Sequence, residues 1–538
     1  MTETNEELLL NVNTRENGSD GTPIGQRGPI VKGEVRARTS VQWAGLAMGT
    51  GIFFLLLVSP NPEGLSREAM GVAALASLMI IWWVTEAIPI AVTALAPMIV
   101  LPLAGVSPLK EAATSYMSPI VVLLMAGFII AKAIEKWGLH TRIALNVVRA
   151  LGTQPGALIA GFMIAAAGLS MWISNTATAL MMMPIALSVA EATKTERLQQ
   201  RDGAVGVKLD RRFGLENSFT TALLLSVAYA CSIGGLATPV GSPTNLIVIG
   251  YLAEQNIALG FADWMRLGVP VVLLLLPVAW LILVRYGVAG SSCAEPSGQA
   301  KKIVQDGLMA LGPITEPEKR TLIVFLCIAS AWVFSAQLKN LPGLDALNDQ
   351  IIGLVGVVAF FIIPSGARQQ AEDDGERHPR SIRSSPLLDW SLAERIPWGV
   401  ILLFGGGLSL AAAIGKSGLA LFLAQSFVGL GGMPDFIVIL ALTVLVLMLT
   451  EFTSNVATVS AILPMVGAIA LATGFDLVAL AAPIGLAASC AFMLPMATGP
   501  NAVAYAADHV PLRRMANIGI RLNIAGALII TLVATVLR

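Results

Sequence analysis

Two short polar motifs interrupt otherwise apolar sequence, and both have the pattern S-N-x-A-T-x5-P. The first begins at Ser174 and the second at Ser454. Serine, threonine and asparagine offer uncharged oxygens together with O–H and N–H groups, so these motifs can bind a cation or an anion. Polar groups at membrane depth are costly unless they line a site. Because the motif is duplicated, we predict that two halves of the chain converge on one ligand.

The composition places these motifs in a membrane protein. Of the 538 residues, 55% are apolar and 13% are charged, and the mean hydropathy is +0.76. Apolar segments of about 20 residues, the length that crosses a bilayer, recur from Val41 to Leu537. We therefore predict a multi-pass protein of the inner (plasma) membrane, embedded in the lipid bilayer, with residues 1–40 as a disordered cytoplasmic tail. No basic stripe points to a nucleic-acid partner.

Lysine and arginine, which are enriched in cytoplasmic loops, indicate how the chain crosses the membrane. Basic segments flank the apolar segment 155–190 at both ends, so this segment is predicted to enter and leave on the cytoplasmic side as a re-entrant hairpin with the first motif at its tip. No lysine or arginine occurs between Lys416 and Arg513, so a second hairpin, 434–471, is expected to enter from outside. The halves are thus predicted to be inverted repeats, with the amino terminus cytoplasmic and the carboxyl terminus external.

A second pair of matching segments follows the hairpins. Asn245 and Asn501, each close behind glycine and proline, lie 256 residues apart within the apolar segments 217–253 and 479–509. The hairpin motifs lie 280 residues apart instead, and a charged loop near 193–216 in the first half accounts for the difference. Glycine and proline inside an apolar span break it into half-helices, whose free backbone groups need partners such as ions or a substrate. We therefore predict one broken helix in each half.

These residues resemble the divalent anion/sodium symporters, a family that carries di- and tricarboxylates or sulfate. The resemblance covers nearly the whole chain and rests on both Ser-Asn motifs, on WWVTEAIP at 82–89, on GSPTN at 241–245 and on the segment 489–501. It implies an all-α polytopic membrane protein with inverted repeats, about eleven transmembrane helices and two re-entrant hairpins. It further implies an elevator-type transporter that forms a homodimer, with sodium ions as coupling ions and no other cofactor.

The resemblance also implies two sodium sites with a divalent anion between them. Sodium is a hard cation that prefers oxygen ligands, and hydroxyls, amide oxygens and unwound carbonyls supply these without a fixed charge. Each tip can also present a helix amino terminus to a carboxylate. The first sodium site would use Ser170, Ser174, Asn175 and Gly241, and the second would use Thr450, Ser454, Asn455 and Ala497. The substrate would contact Ser174, Asn175, Thr176, Ser242, Ser454, Asn455 and Thr498.

Three positions depart from the family's usual pattern. Val456 stands where the motif usually repeats threonine, Thr244 stands where a second proline is usual, and Ser242 stands where threonine is usual. A buried hydroxyl is worth about 1–3 kcal/mol when its partner would otherwise stay unpaired. We therefore expect Val456 to affect which anion fits or how its second carboxylate is held, while the changes at Thr244 and Ser242 are expected to be mild.

The same reasoning divides the chain into five parts. Residues 1–40 are the tail, and each repeat supplies scaffold helices followed by a transport unit. The scaffold helices of the first repeat are expected at 41–152 and its transport unit at 153–290; a cytoplasmic loop and the scaffold helices of the second repeat are expected at 291–432, and its transport unit at 433–538.

We predict sodium-coupled uptake of divalent organic anions, with C4-dicarboxylates such as succinate or malate as first candidates. A sodium-independent dicarboxylate exchanger and a sulfate or citrate carrier of the same fold remain alternatives. An enzyme is not expected, because the spans lack a nucleophile with a base or a histidine pair for a metal. Glu451 lies in an apolar segment, and we favour a structural role for it over that of an ion carrier. His140 is expected to be solvated.

Overall fold

The computed structural model describes residues 38–202, 213–287, 298–367 and 385–537. Nearly all of the predicted tail therefore lies outside the described residues. Every regular element in these ranges is helical, and their only β pairing is an isolated bridge between Pro364 and Pro386. The predicted all-α fold is confirmed.

The first half of the described chain contains twelve α-helices, the last five of which lie in the predicted transport unit of the first repeat. A short 3-10 turn, Ser115–Met117, precedes α6. In chain order the α-helices are α1 (Ser40–Val58), α2 (Arg67–Thr85), α3 (Ile90–Thr93), α4 (Ala96–Leu103), α5 (Leu109–Thr114), α6 (Pro119–Lys136), α7 (Leu139–Leu151), α8 (Pro155–Ser170), α9 (Asn175–Asp202), α10 (Phe213–Gly234), α11 (Pro243–Glu254) and α12 (Phe261–Gly287).

The second half repeats this order of hairpin, broken helix and long final helix. A 3-10 turn, Val428–Gly432, precedes its hairpin. The α-helices are α13 (Gly298–Leu311), α14 (Glu316–Val333), α15 (Ser335–Leu338), α16 (Asp349–Ile362), α17 (Trp390–Ala393), α18 (Trp398–Lys416), α19 (Leu419–Gln425), α20 (Asp435–Thr450), α21 (Asn455–Thr473), α22 (Leu477–Ala488), α23 (Gly499–Ala506) and α24 (Leu512–Val536).

Eight helical segments of the described chain are long and apolar enough to cross a membrane. They are α1, α2, the run that ends with α6, the apolar part of α9, α12, α18, α21 and α24. Six shorter apolar helices accompany them, and four of these (α8, α10, α20 and α22) are arms of the hairpins or of the broken helices. The polytopic architecture is confirmed, whereas the number of eleven crossings stays a prediction.

Both hairpins form where the sequence predicts them. In the first, α8 ends at Ser170 and α9 begins at Asn175; in the second, α20 ends at Thr450 and α21 begins at Asn455. Proline at the first turn of α8 suits a helix start, because the N–H group that proline lacks has no partner inside the helix there. The connecting residues, 171–174 and 451–454, carry the serine of each motif, so each motif lies at a hairpin tip.

The two broken helices have the same internal bracing. The Asn245 side-chain nitrogen donates to the carbonyl oxygens of Gly235 (2.9 Å) and Thr238 (2.8 Å), inside the break between α10 and α11. The Asn501 nitrogen donates to Ala491 O (3.0 Å) and Leu494 O (3.1 Å) in the break between α22 and α23. All three positions of the first set recur 256 residues later, which is the predicted offset of the repeat.

The structure differs from the predictions in four places. Helix α9 continues from the predicted hairpin end at 190 to Asp202, because helix formation does not stop where apolar sequence stops. The apolar sequence near 88–106 predicts a single span, whereas the structure divides it into α3 and α4, and α13 forms within the predicted cytoplasmic loop. The prediction for His140 was wrong: the residue is 7% exposed on the buried face of α7, and burial lowers its pKa.

Candidate functional site

The tip of the first hairpin brings together three of its four predicted sodium ligands. The side-chain amide of Asn175, at the start of α9, lies 2.5 Å from Ser170 Oγ, at the end of α8. With its nitrogen on that side, the amide also donates to the carbonyl oxygens of Cys231 and Gly241, each 3.2 Å away. We assign this orientation because the opposite one leaves the amide oxygen facing acceptors only. Asn175 therefore joins both hairpin arms to the first broken helix.

The second tip has the same hydroxyl–asparagine pair with threonine in place of serine, but here the hydroxyl donates to the amide oxygen. Thr450 Oγ1, at the end of α20, lies 2.7 Å from Asn455 Oδ1 and 2.9 Å from the carbonyl oxygen of Ala488, at the end of α22. The predicted ligand Ala497 lies buried in the break between α22 and α23. The hairpin of the second repeat is thus joined to the broken helix of its own repeat, as in the first.

The predicted substrate residues differ in how far they are accessible. Ser174 and Thr176 are exposed at the first tip, and Ser454 is half-buried at the second. The first tip also contacts the second repeat, because a Cβ atom placed on Gly499 would lie only 1.9 Å from Thr176 Oγ1. Gly499 is therefore the residue that lets the two repeats approach each other at this point.

Two other predicted substrate contacts have hydroxyls with protein partners. Ser242 is 3% exposed, and its Oγ lies 2.9 Å from Thr244 Oγ1 and 2.8 Å from Ser489 Oγ. Thr498 Oγ1 accepts the backbone N–H of Asn501 at 3.2 Å and so caps α23. A substrate contact of Ser242 would therefore compete with its two hydroxyl partners, whereas Thr498 only accepts a hydrogen bond and keeps its own O–H hydrogen to donate.

Val456, the position that departs from the duplicated motif, packs against apolar side chains. It contacts both clusters of buried apolar residues, the larger of which includes Val459 and the smaller of which includes Ala457. A threonine there would place a hydroxyl beside these groups. The departure is therefore accommodated by packing at the second tip.

Glu451, which the predicted site did not include, holds the second broken helix in place. Its carboxylate is 1% exposed and accepts the backbone N–H groups of Phe492 (2.9 Å), Met493 (3.0 Å) and Leu494 (3.0 Å), together with Asn523 Nδ2 (2.7 Å). No lysine or arginine forms an ion pair with it among the described residues. These hydrogen bonds agree with the structural role favoured for Glu451. An acidic residue beside Thr450 in an apolar segment is the signal that could have added it to the site.

An aromatic cluster holds the first tip against neighbouring helices. Trp172, in the connection between α8 and α9, stacks on Phe261 of α12 with ring centroids 6.0 Å apart and planes 13° apart. Trp332 of α14 also stacks on Phe261, with ring centroids 5.0 Å apart. Phe325 of α14 meets the Trp172 ring edge-on, at a centroid distance of 5.2 Å. The tip is therefore packed against both the predicted transport unit and the predicted scaffold.

Comparison with known proteins agrees with the motifs. Residues 40–537 match the family described as the sodium:sulfate symporter transmembrane region. The sodium-dependent dicarboxylate transporter SdcS of Staphylococcus saprophyticus is 36% identical over 495 residues, which are 91% of this chain and 90% of that protein. The protein of the same name from Staphylococcus aureus (strain bovine RF122) is 34% identical, with the same coverage.

A solved structure, the YdaH transporter of Alcanivorax borkumensis, aligns with a TM-score of 0.48 and 13% identity over 78% of this chain and 86% of that one, and this distant likeness adds nothing to the assignment. The family match extends over nearly all of the described chain, and both curated relatives are more than 30% identical over nine-tenths of their length. The chain therefore belongs to the divalent anion/sodium symporter family, and it is a multi-pass plasma-membrane transporter.

Proposed function

We propose that this protein couples the movement of sodium ions to the uptake of a divalent organic anion, with C4-dicarboxylates such as succinate or malate as first candidates. The observation that carries the proposal is the repetition of a hydroxyl–asparagine pair at two hairpin tips, each joined to a broken helix. Two relatives named sodium-dependent dicarboxylate transporters support the choice of ion and anion.

The two sodium sites are built from uncharged oxygen ligands. Ser170, Ser174, Asn175 and Gly241 bind the first ion, and Thr450, Ser454, Asn455 and Ala497 bind the second. The hydroxyl–amide pairs are already adjacent, at 2.5 Å for Ser170–Asn175 and 2.7 Å for Thr450–Asn455. At the first site the Asn175 amide must turn so that its oxygen, rather than its nitrogen, faces the ion. Hydroxyl, amide and carbonyl oxygens suit a hard monovalent cation.

The anion binds between the two ions. Both tips are starts of helices, α9 and α21, whose free N–H groups and partial positive charge favour a carboxylate. Neither motif contains a lysine or an arginine, so bound sodium supplies the remaining positive charge. This gives a physical reason for coupling, because the dianion binds weakly until the cations are present. Ser174, Thr176 and Ser454 are the accessible hydroxyls for it.

Transport then requires the hairpins and broken helices to move together against the scaffold helices, in a homodimer. A cavity of about 490 Å³ lies between α11, α21 and α22 on one side and α18 and α19 on the other, and its lining includes Tyr251, Pro464 and Phe475. Incomplete packing along this boundary supports a unit that moves as a body. The moving unit crosses the membrane only when it is fully loaded or empty, and this condition couples the ions to the anion.

Uptake of labelled succinate into proteoliposomes tests the proposal. We expect accumulation driven by an inward sodium gradient, loss of accumulation when potassium replaces sodium, and a loss of at least tenfold in Asn175→Ala and in Asn455→Ala. Asn146→Ala is the matched control, because the Asn146 amide donates within its own helix, to Arg142 O.

Other results would assign a different transport mode. Uptake that needs only internal dicarboxylate, without sodium, would identify an exchanger, and sodium-driven uptake of sulfate or citrate but not of succinate would change the anion. Unchanged sodium-driven uptake in both asparagine variants would contradict the proposed sites.

A further inference from the structure

Three buried hydroxyls form a closed triangle where the two broken helices meet. Ser242 Oγ, Thr244 Oγ1 and Ser489 Oγ are separated by 2.9, 2.8 and 2.8 Å, and the three residues are 3%, 1% and 1% exposed. Ser242 and Thr244 begin α11 in the first repeat, whereas Ser489 ends α22 in the second. Each hydroxyl can donate one hydrogen bond and accept another, so the triangle is satisfied within itself.

The triangle does not follow from the repeat. The positions 256 residues from its members are Thr498, Pro500 and Ile233, of which only threonine has a hydroxyl. Thr498 caps its own helix by accepting a backbone N–H, whereas Ser242, the residue in the same position before α11, makes no such cap. Its hydroxyl is directed to the other repeat instead. The hydroxyl contact between the two repeats is therefore present at Ser242 and has no counterpart at the equivalent position, Thr498.

The triangle lies on a short path between the two proposed sodium sites. Gly241, whose carbonyl oxygen lies 3.2 Å from the Asn175 amide, immediately precedes Ser242. Ala488, whose carbonyl oxygen lies 2.9 Å from Thr450 Oγ1, immediately precedes Ser489. A backbone shift at either carbonyl therefore moves a member of the triangle, and breaking one member disturbs two of the three hydrogen bonds.

We propose that Ser242, Thr244 and Ser489 are positioning residues that couple the two sodium sites, so that an ion at one site raises the affinity of the other. This inference rests on the proposed function and adds cooperativity to it. An ion that fixes the Gly241 carbonyl also fixes Ser242 and, through the triangle, the Ala488 carbonyl and the Thr450 hydroxyl. The second ion then binds to ligands that are already ordered, and the same coupling acts in the reverse direction.

Equilibrium binding of ²²Na⁺ to the purified full chain, without substrate, tests this inference. Independent sites give a Hill coefficient of 1 or less, and positive coupling between two sites gives a value up to about 2. We expect a coefficient clearly above 1 in the wild type and a decrease to about 1 in Ser489→Ala, with both ions still bound. Thr244→Val, which is nearly isosteric, is the second variant if Ser489→Ala fails to fold.

Ser460→Ala is the matched control. Ser460 is 4% exposed, and its hydroxyl has no hydrogen-bond partner among the described residues. We expect it to retain the wild-type coefficient. A triangle that only holds helices together would lower the unfolding temperature in Ser489→Ala and leave the Hill coefficient unchanged, and this result would overturn the inference, as would a wild-type coefficient of 1.

The binding assay separates this inference from the proposed function. A wild-type protein that binds no sodium and shows no sodium-driven uptake would contradict the proposed function itself. Sodium-driven uptake together with non-cooperative binding, or with cooperativity that survives both Ser489→Ala and Thr244→Val, would contradict only the coupling role of the triangle.

Discussion

Removal of the Glu451 carboxylate is expected to loosen the second broken helix. Glu451→Ala leaves three backbone N–H groups, at residues 492–494, and the Asn523 amide without their acceptor. Hydrogen bonds to a charged group are worth about 1.5–3 kcal/mol each, so the three backbone bonds alone amount to roughly 5–9 kcal/mol. The variant also avoids burying a charge, which costs several kcal/mol, so we expect a net loss of about 3–5 kcal/mol.

Glu451→Gln distinguishes the charge from the shape of the side chain. Glutamine keeps one acceptor oxygen, but its NH₂ group points hydrogens at backbone N–H groups that need an acceptor. We expect it to lose about half as much stability as Glu451→Ala, or roughly 2 kcal/mol. Because Glu451 follows Thr450 directly, sodium binding at the proposed second site is expected to weaken in both variants.

Thermal unfolding of the detergent-solubilised protein and the sodium dependence of succinate uptake measure these effects. The surface variant Glu111→Gln is the control, because Glu111 pairs with Lys416 at 2.8 Å with both side chains about half exposed, and such pairs contribute about 0–1 kcal/mol. If Glu451→Ala unfolds at the wild-type temperature and takes up succinate with the wild-type sodium dependence, the carboxylate does not hold the break and the reasoning is wrong.

Two further substitutions test other contacts. Gly499→Ala places a methyl group 1.9 Å from Thr176 Oγ1, so we expect a folded protein whose succinate uptake falls at least tenfold, and uptake at the wild-type rate would show that this approach is not needed. Arg142→Ala removes a 2.8 Å ion pair whose side chains are only 14% and 6% exposed and leaves the buried Glu318 carboxylate with its hydrogen bonds from Thr315 but without a cation. We expect a loss of about 3–5 kcal/mol in the free energy of unfolding, and a value within about 0.5 kcal/mol of wild type would contradict this.

The hairpins and broken helices could be predicted closely because local sequence determines them. The polar motifs end one apolar arm and begin another, and the residues 238–245 and 494–501 contain the glycine and proline that interrupt a helix. The predicted hairpins, 155–190 and 434–471, begin at or within one residue of the first residues of α8 and α20. Duplication helped further, because a motif that occurs twice at related offsets is difficult to mistake for packing alone.

Long-range contacts could not be predicted in the same way. The partner of Ser242 is Ser489, 247 residues away, and nothing near either residue indicates which hydroxyl the other will meet. His140 lies in a basic segment and was expected in solvent, but tertiary packing buries it. Helix α13 is short and amphipathic, so apolar length alone could not identify it. In each case the deciding information is in another part of the chain.

The repeat duplicates the hydroxyl–asparagine pair without duplicating the contacts around it. Met171 and Glu451 occupy the same position in the two tips, 280 residues apart. At the first tip the Met171 carbonyl accepts the Thr238 hydroxyl at 2.5 Å, which is a bond between neutral groups, whereas at the second a full negative charge organises residues 492–494. A buried anion attracts a nearby cation more strongly than a neutral group does. The two proposed sodium sites are therefore expected to differ in affinity, and the second is the one that the fixed charge favours.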